Sequence, residues 1–243
     1  HVRSRRQRQM CIRDSYYRSH PFSKQRLEQV KNYKLQYQKV SLAEQTVLIN
    51  ENVISLKYIQ NKINAYSIDP NEVIRSLENK NDFLSTYSQM IALYRLGKYE
   101  LAHKKHTLIK NKYKQYPFFS ELKGDIYYKE GNFNIAINEY EKAIQALQEV
   151  FHPSSDLIKF SLIKTYLQTN NKGELNKSII LLEELLLNNP NWSYLWRLLS
   201  KASGKLNKKG IAYIALAEEA LIKKNFIKAK KYVDIANKQP GLP

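Results

Sequence analysis

The chain has 243 residues, of which 43% are hydrophobic, and it contains only seven glycines and seven prolines. This composition is typical of one or two ordered, mostly helical domains. No apolar run approaches the roughly 18 residues that a membrane-spanning helix requires. The formal net charge of +18 favours either an anionic partner or lysine-rich helix faces exposed to solvent.

Residues 1–15 (HVRSRRQRQMCIRDS) differ from the rest of the chain. Back-translation of residues 10–15 can give ATG TGT ATA AGA GAC AG, which resembles a transposon end used to tag sequencing libraries. We therefore interpret the segment as an assembly artefact and exclude it from fold reasoning; the alternative is a basic disordered arm. The segment holds the only cysteine, Cys11, so the remainder has no disulfide and no thiol nucleophile. Its five arginines and one aspartate leave a net charge of +14 on the remainder.

Residues 16–80 are predicted to be a helical linker region. Apolar residues recur at helical spacing over residues 51–66, which predicts a helix there. The Asp69-Pro70 pair ends this helix, because a residue before proline is disfavoured in the α-helical region. A short helix is predicted to follow over residues 71–78.

Residues 117–150 contain the clearest pattern in the chain, two amphipathic helices joined by a turn at Gly131. Two antiparallel helices approach closely only where their side chains are small. Gly124, Ala136 and Ala143 provide such contact points, and aromatic residues fill the space around them.

The same landmarks recur upstream. The turn glycine, the following aromatic residue and the next small residue have counterparts 34 residues earlier, at Gly97, Tyr99 and Ala102. This spacing and these residue types resemble the tetratricopeptide (TPR) repeat. A single hairpin cannot bury its own apolar face, so neighbouring hairpins are required. We therefore predict an all-α fold, a TPR-type α-solenoid of about four to five helical hairpins over residues 81–240.

Later hairpins follow the pattern with variations. In the third hairpin, the turn at residues 169–175 is predicted to be about three residues longer than standard. In the fourth, Trp196 and Leu199 match the W-x₂-L landmarks. A last helix is predicted after residue 225, with a polar outer face typical of a capping repeat.

In TPR solenoids the first helix of each hairpin lines a concave groove. We predict that this groove binds extended or partly unfolded polypeptide, because tyrosine rings offer flat contact area and basic groups pair with carboxylates or carbonyls. The predicted groove residues are Tyr87, Tyr94, Arg95, Tyr128, Lys129, Lys164, Tyr194, Arg197 and Lys201. Nucleic acid is not favoured as a partner, because the basic residues form no single stripe and no nucleic-acid motif is present.

Catalytic motifs are absent from the sequence. His103 and His106 are three residues apart and lack the glutamate of the H-E-x-x-H zinc motif, so His106 is predicted to be a packing residue. No phosphate-binding glycine loop or nucleophile elbow is present. The carboxylate pair Glu218-Glu219 is predicted to be exposed helix surface.

A short element near the N-terminus adds a family resemblance. The string SHPFSKQRL at residues 19–27 resembles the S/T-H-P element of the zinc metallopeptidase family that includes the CAAX prenyl protease and the bacterial β-barrel-assembly-enhancing protease. In the envelope branch of that family a TPR tail follows. Segments 91–102, 117–131 and 196–205 look like that tail.

The resemblance implies a periplasmic, zinc-dependent protease or chaperone that acts on outer-membrane proteins. It also implies that His20 lies near the zinc of the full-length parent and can approach it as an extra ligand; the alternative is a histidine at the start of a helix with no metal. The resemblance further implies that residues 16–80 include the end of a truncated metallopeptidase domain. The H-E-x-x-H helix would lie before residue 1, so this fragment alone is expected to bind no zinc and to be inactive. The alternative function is a stand-alone TPR adaptor for protein–protein interaction.

Overall fold

The computed structural model describes residues 56–109, 117–149 and 155–240. The chain divides into two units, His1–Gln60 and Asn61–Pro243, and all contacts described below lie within the second. The predictions made for residues 1–55, including the adapter-like segment and the role of His20, lie outside the described residues. The predicted domain boundary at residue 80 stays a prediction.

The described residues contain helices and no β-strand, which confirms the predicted all-α class. Residues 56–67 are helical. The helices that follow are α1 (Pro70–Ser76), α2 (Phe83–Arg95), α3 (Tyr99–Ile109), α4 (Pro117–Lys129), α5 (Phe133–Glu149), α6 (Asp156–Thr169), α7 (Lys172–Asn188), α8 (Ser193–Lys205), α9 (Lys209–Ile222) and α10 (Phe226–Ala236). In the described part of the chain, no helix combines the length and the apolar character needed to cross a membrane.

Helices pack mainly on their neighbours in sequence. The pairs α2/α3, α4/α5, α6/α7 and α8/α9 form hairpins, and α10 packs on α9. The second helix of one hairpin also contacts the first helix of the next, as in α5/α6 and α7/α8. First helices touch each other as well, in α2/α4 and α4/α6. This nearest-neighbour pattern is the one that a stack of helical hairpins requires.

Residues with a positive φ angle close the hairpin turns. Gly97 has φ +70° and Gly131 has φ +80°, and glycine takes this conformation without a steric penalty. After Gly131, the Asn132 amide donates to the Tyr127 carbonyl, five residues back, at 2.9 Å. This hydrogen bond is typical of a Schellman motif, which ends a helix and satisfies its last carbonyls. The predicted turn glycines are therefore confirmed.

The predicted long turn at residues 169–175 is wrong. Helix α6 ends at Thr169 and α7 begins at Lys172, so only two residues connect them. Asn170 takes the left-handed conformation, with φ 56°, and the Asn171 side chain caps α7 by accepting from the next backbone amides. Asparagine tolerates this conformation better than most residues. The residues that resembled an extended turn therefore form the first turn of α7.

Gly124 is the closest contact point between α4 and α5. A Cβ atom at this position would lie 2.7 Å from Tyr140 Cε1, which is too close for two carbon atoms. The Tyr140 ring is only 1% exposed, and Ala136 and Ala143 are completely buried. The structure confirms that these small residues allow the two helices to approach. The Tyr140 hydroxyl reaches Asp125 on α4.

Candidate functional site

The first helices of three consecutive hairpins and the residue before the third of them carry a set of aromatic rings, which we call the aromatic ledge. It consists of Tyr128 on α4, Phe160 on α6, Trp192 immediately before α8, and Tyr194 on α8. The Phe160 ring centroid lies 5.1 Å from that of Trp192 and 5.9 Å from that of Tyr194. Such separations are favourable for aromatic pairs. Trp192 is half-buried and Tyr194 is 43% exposed, so the ledge is accessible to a ligand.

Lys164 connects the α4 and α6 parts of the ledge. Its Nζ atom lies 4.9 Å from the Phe160 ring centroid and 5.9 Å from the Tyr128 ring centroid. Phe160 and Lys164 are four residues apart, so they project from the same face of α6. A cation over an aromatic face contributes about 0.5–1 kcal/mol at an exposed site. The ammonium group is thereby held between two rings.

A partly buried carboxyl group lies one turn before Tyr128. The Tyr140 hydroxyl donates a hydrogen bond to Asp125 Oδ1 at 2.6 Å. Burial raises the pKa of Asp125 to about 6, Glu121 adds to the rise, and the Tyr140 hydrogen bond and the Lys164 charge oppose it. The charge of this surface therefore changes near neutral pH.

The groups around Asp125 are themselves paired. Lys62 forms an ion pair with Glu121 at 2.6 Å and lies 4.4 Å from the Phe118 ring centroid. Burial raises the pKa of Tyr94 to about 12, and the Asp125 charge contributes to this rise. Tyr94 therefore remains a neutral phenol at physiological pH, and this region presents phenol rings beside a carboxyl group.

The structure brings three predicted groove residues together on the ledge, namely Tyr128, Lys164 and Tyr194. Lys129 and Lys201 are exposed on the same helices. The spacing along each first helix was sufficient to find these three residues, because α4 packs on α6 and Phe160 of α6 contacts Tyr194 of α8.

Two other predicted groove residues have structural roles. Tyr87 is only 1% exposed, and its hydroxyl donates to the Phe118 carbonyl at 3.3 Å. Tyr87 is therefore a core residue, which corrects its assignment to the groove. Arg95 is exposed, but its guanidinium donates to the carbonyls of Ala65 and Ile68, which lie at the end of the helix formed by residues 56–67. It satisfies carbonyl groups that have no partner within that helix.

Arg197 is also engaged. Its guanidinium pairs with Glu219 at 2.5 Å, and Lys223 pairs with the same carboxylate. Glu219 is only 6% exposed, so the prediction that the Glu218-Glu219 pair is exposed helix surface is wrong for Glu219. The two charges that pair with Glu219 come from Arg197 on α8 and from Lys223, which immediately follows α9.

Sequence reasoning missed Phe160, Trp192, Gln168 and Asp125 as members of this surface. Phe160 had a usable signal, because it precedes Lys164 by one helical turn. Trp192 lies immediately before α8, outside the helical spacing that predicted the other members. Asp125 had no usable signal in the spacing of residues along α4, because its hydrogen bond with Tyr140 depends on the close approach of α4 and α5.

The two helical histidines bind different partners. His103 Nε2 lies 3.0 Å from Glu130 Oε2, and its ring centroid is 4.7 Å from that of Tyr127. The His106 ring stacks on Phe119 at 5.0 Å, which confirms its predicted packing role. Among the described residues, no group of three or more histidine, cysteine, aspartate or glutamate side chains is arranged to hold a metal ion.

A second surface depression lies between α5 and α7. It has a volume of about 330 Å³ and is lined mainly by Ile144, Leu162 and Leu181. The polar groups at its rim satisfy one another, since Tyr166 donates to Glu141 at 2.7 Å and Lys177 lies 3.6 Å from the same carboxylate. The ledge offers donors without such acceptors, so we treat the ledge as the candidate site.

The fold and the ledge define the class of this protein: an all-α array of helical hairpins with an accessible aromatic surface on its first helices. Comparison with protein-family models and with curated proteins finds no match for the chain.

Proposed function

We propose that this chain binds extended or partly unfolded polypeptide along the aromatic ledge and the neighbouring groove residues. The observation that carries the proposal is a set of partly exposed rings on three hairpins, in which Phe160 contacts Trp192 and Tyr194 and Lys164 lies between Phe160 and Tyr128. Rigid aromatic rings provide contact area at a low cost in conformational entropy. An extended chain can contact all three hairpins at once, whereas a small ligand would contact one.

The proposal extends to the parent protein. The resemblance of residues 19–27 to the S/T-H-P element, followed by the TPR-like segments, supports an origin as the TPR tail of a periplasmic zinc metallopeptidase. In that parent the upstream H-E-x-x-H helix would hold the zinc, and the tail would bind outer-membrane proteins or their assembly partners for quality control. This fragment would supply binding and no catalytic residue.

A stand-alone TPR adaptor with no protease attached is the second candidate, and the same ledge would serve its partner. Genomic DNA upstream of residue 16 distinguishes the two. An in-frame H-E-x-x-H helix supports the protease. A start codon with no zinc motif upstream supports the adaptor and contradicts the protease origin.

Binding is tested with two permanently unfolded, fluorescently labelled proteins: reduced carboxymethylated α-lactalbumin, which is acidic, and reduced alkylated ribonuclease A, which is basic. We expect the full chain to bind both, as measured by fluorescence anisotropy. Tyr194→Ala should weaken both by about tenfold, because one aromatic anchor contributes about 1–2 kcal/mol.

The matched control is Tyr232→Ala. Tyr232 lies on α10 and contacts Tyr213 of α9, away from the ledge, with ring centroids 6.3 Å apart. Its removal should leave both affinities within twofold of the original. If neither probe binds, or if the two variants weaken binding equally, the proposal is contradicted.

A further inference from the structure

Lys164 combines partial burial with the absence of an anionic partner. Its ammonium group makes no hydrogen bond and no ion pair with any described residue, and its contacts are the rings of Phe160 and Tyr128. Three other partly buried lysines are satisfied differently. Lys62, Lys123 and Lys159 each pair with a glutamate. Withdrawing an ammonium group from water without an acceptor costs free energy, so a partly buried one favours an incoming anion.

Two further donors belong to Tyr128, whose ring centroid lies 5.9 Å from this ammonium group, and to Gln168, which lies one helical turn further along α6. The Tyr128 hydroxyl accepts a hydrogen bond from Gln168 Nε2 at 3.4 Å, so its own proton remains available for donation. The Gln168 amide has a second N–H. Lys164 and Gln168 are four residues apart on α6, and Tyr128 reaches them from α4. Donors from two adjacent hairpins therefore converge, and none has an acceptor elsewhere in the described part of the chain.

The closest competing carboxyl group is already engaged. Asp125 accepts from Tyr140 at 2.6 Å, and the Lys164 charge lowers the pKa of Asp125 although the two groups form no ion pair. Glu121 is paired with Lys62. No carboxylate of the described residues therefore completes the Lys164 donor set, and a bound ligand can supply one.

We propose that Lys164, Tyr128 and Gln168 form a subsite for a carboxylate side chain, aspartate or glutamate, of the polypeptide bound on the aromatic ledge. This inference rests on the proposed function and specifies the ligand class. An oxygen of the carboxylate would accept from the ammonium and the phenol, and the flanking ligand residues would lie on Phe160 and Tyr194. Charge-assisted hydrogen bonds of this kind are about twice as strong as neutral ones.

The test uses two pools of fluorescein-labelled 12-residue peptides. Both fix a central tryptophan; one pool fixes glutamate on each side of it and the other fixes glutamine, and the remaining positions are random. At 150 mM salt we expect the full chain to bind the glutamate pool about five- to tenfold more tightly. Lys164→Gln should remove this preference, so that the two pools bind with affinities within twofold of each other.

Two further variants make the result specific. Lys172→Gln removes the same charge from an exposed position of α7 and should keep the preference. Tyr128→Phe keeps the ring, deletes the hydroxyl, and should reduce the preference about two- to threefold, which guards against a folding defect in Lys164→Gln. Equal binding of both pools, or equal loss with Lys172→Gln, would overturn the carboxylate subsite while leaving polypeptide binding intact. Failure of both pools and of both unfolded proteins would overturn the proposed function and this inference together.

Discussion

At the scale of single residues, Asp125 shows how packing sets the charge of a surface. Its pKa rises to about 6 mainly because α4 and α5 remove water from its carboxyl group. In the unfolded chain the same group would titrate near 3.8. The native state therefore binds more protons than the unfolded state between these two pH values, and stability falls as the pH rises through this range.

Asp125→Asn tests this linkage. The variant keeps an oxygen that can accept from Tyr140 but carries no charge, so its stability should not follow the titration of the carboxyl group. We expect its free energy of unfolding to exceed that of the original chain by about 1–3 kcal/mol at pH 8, since a pKa rise of about two units corresponds to that order. At pH 4 the difference should vanish. Urea unfolding at both pH values measures this difference. A variant that is less stable than the original chain at pH 8 would show that the hydrogen bond from Tyr140 to the ionised Asp125 carboxylate outweighs the cost of burying that charge.

At the scale of the hairpin, the contact between Gly124 and Tyr140 sets the distance between α4 and α5. Gly124→Ala would force a methyl group to within 2.7 Å of a ring that is buried and fixed through its hydroxyl. We expect a loss of about 1–3 kcal/mol from overpacking, reduced by up to about 1 kcal/mol through the better helix propensity of alanine.

Gly204→Ala on α8 is the matched control, because no atom beyond the neighbouring residues and backbone of its own helix lies within 4 Å of the Cβ position there. It should be neutral or stabilising by up to about 1 kcal/mol. Thermal unfolding followed by circular dichroism gives both values. Equal melting temperatures for the two variants would mean that the α4/α5 contact is softer than its geometry indicates.

The hairpins themselves were predictable from sequence, since glycine, small and aromatic landmarks follow from the backbone and packing demands of a helical turn. The lengths of the turns were harder to predict from sequence. Asn170, Asn207 and Lys224 take the left-handed conformation that glycine marks at earlier turns, and their identities give a weaker signal than glycine does. The register within a helix was also ambiguous, because Tyr87 and Tyr94 are separated by two turns yet only Tyr94 retains exposure.

At the scale of the whole molecule, contacts between different helices determined what the sequence could not reveal. The partners of Arg197 and Asp125 lie on other helices, and spacing along a single helix contains no information about them. Lysines spread evenly in sequence also separate in space into two groups. Some are neutralised by glutamates, as Lys62 and Lys159 are, and others, such as Lys164 and Lys201, form no ion pair within the described residues. The net charge alone therefore does not identify the binding surface.

Charge reversal separates the field of the whole chain from the ledge. Lys201→Glu and Lys172→Glu change the net charge equally, but only Lys201 lies on α8, which carries Tyr194. We expect Lys201→Glu to weaken binding of unfolded acidic α-lactalbumin at least threefold more than Lys172→Glu does. The difference should persist at 0.3 M salt, where long-range fields are screened and close contacts less so. Arg197→Glu is a poorer probe, because it places a second carboxylate beside the nearly buried Glu219. Equal weakening by the two lysine variants, together with loss of binding at 0.3 M salt, would show that the overall positive field attracts the ligand and that the ledge does not select it.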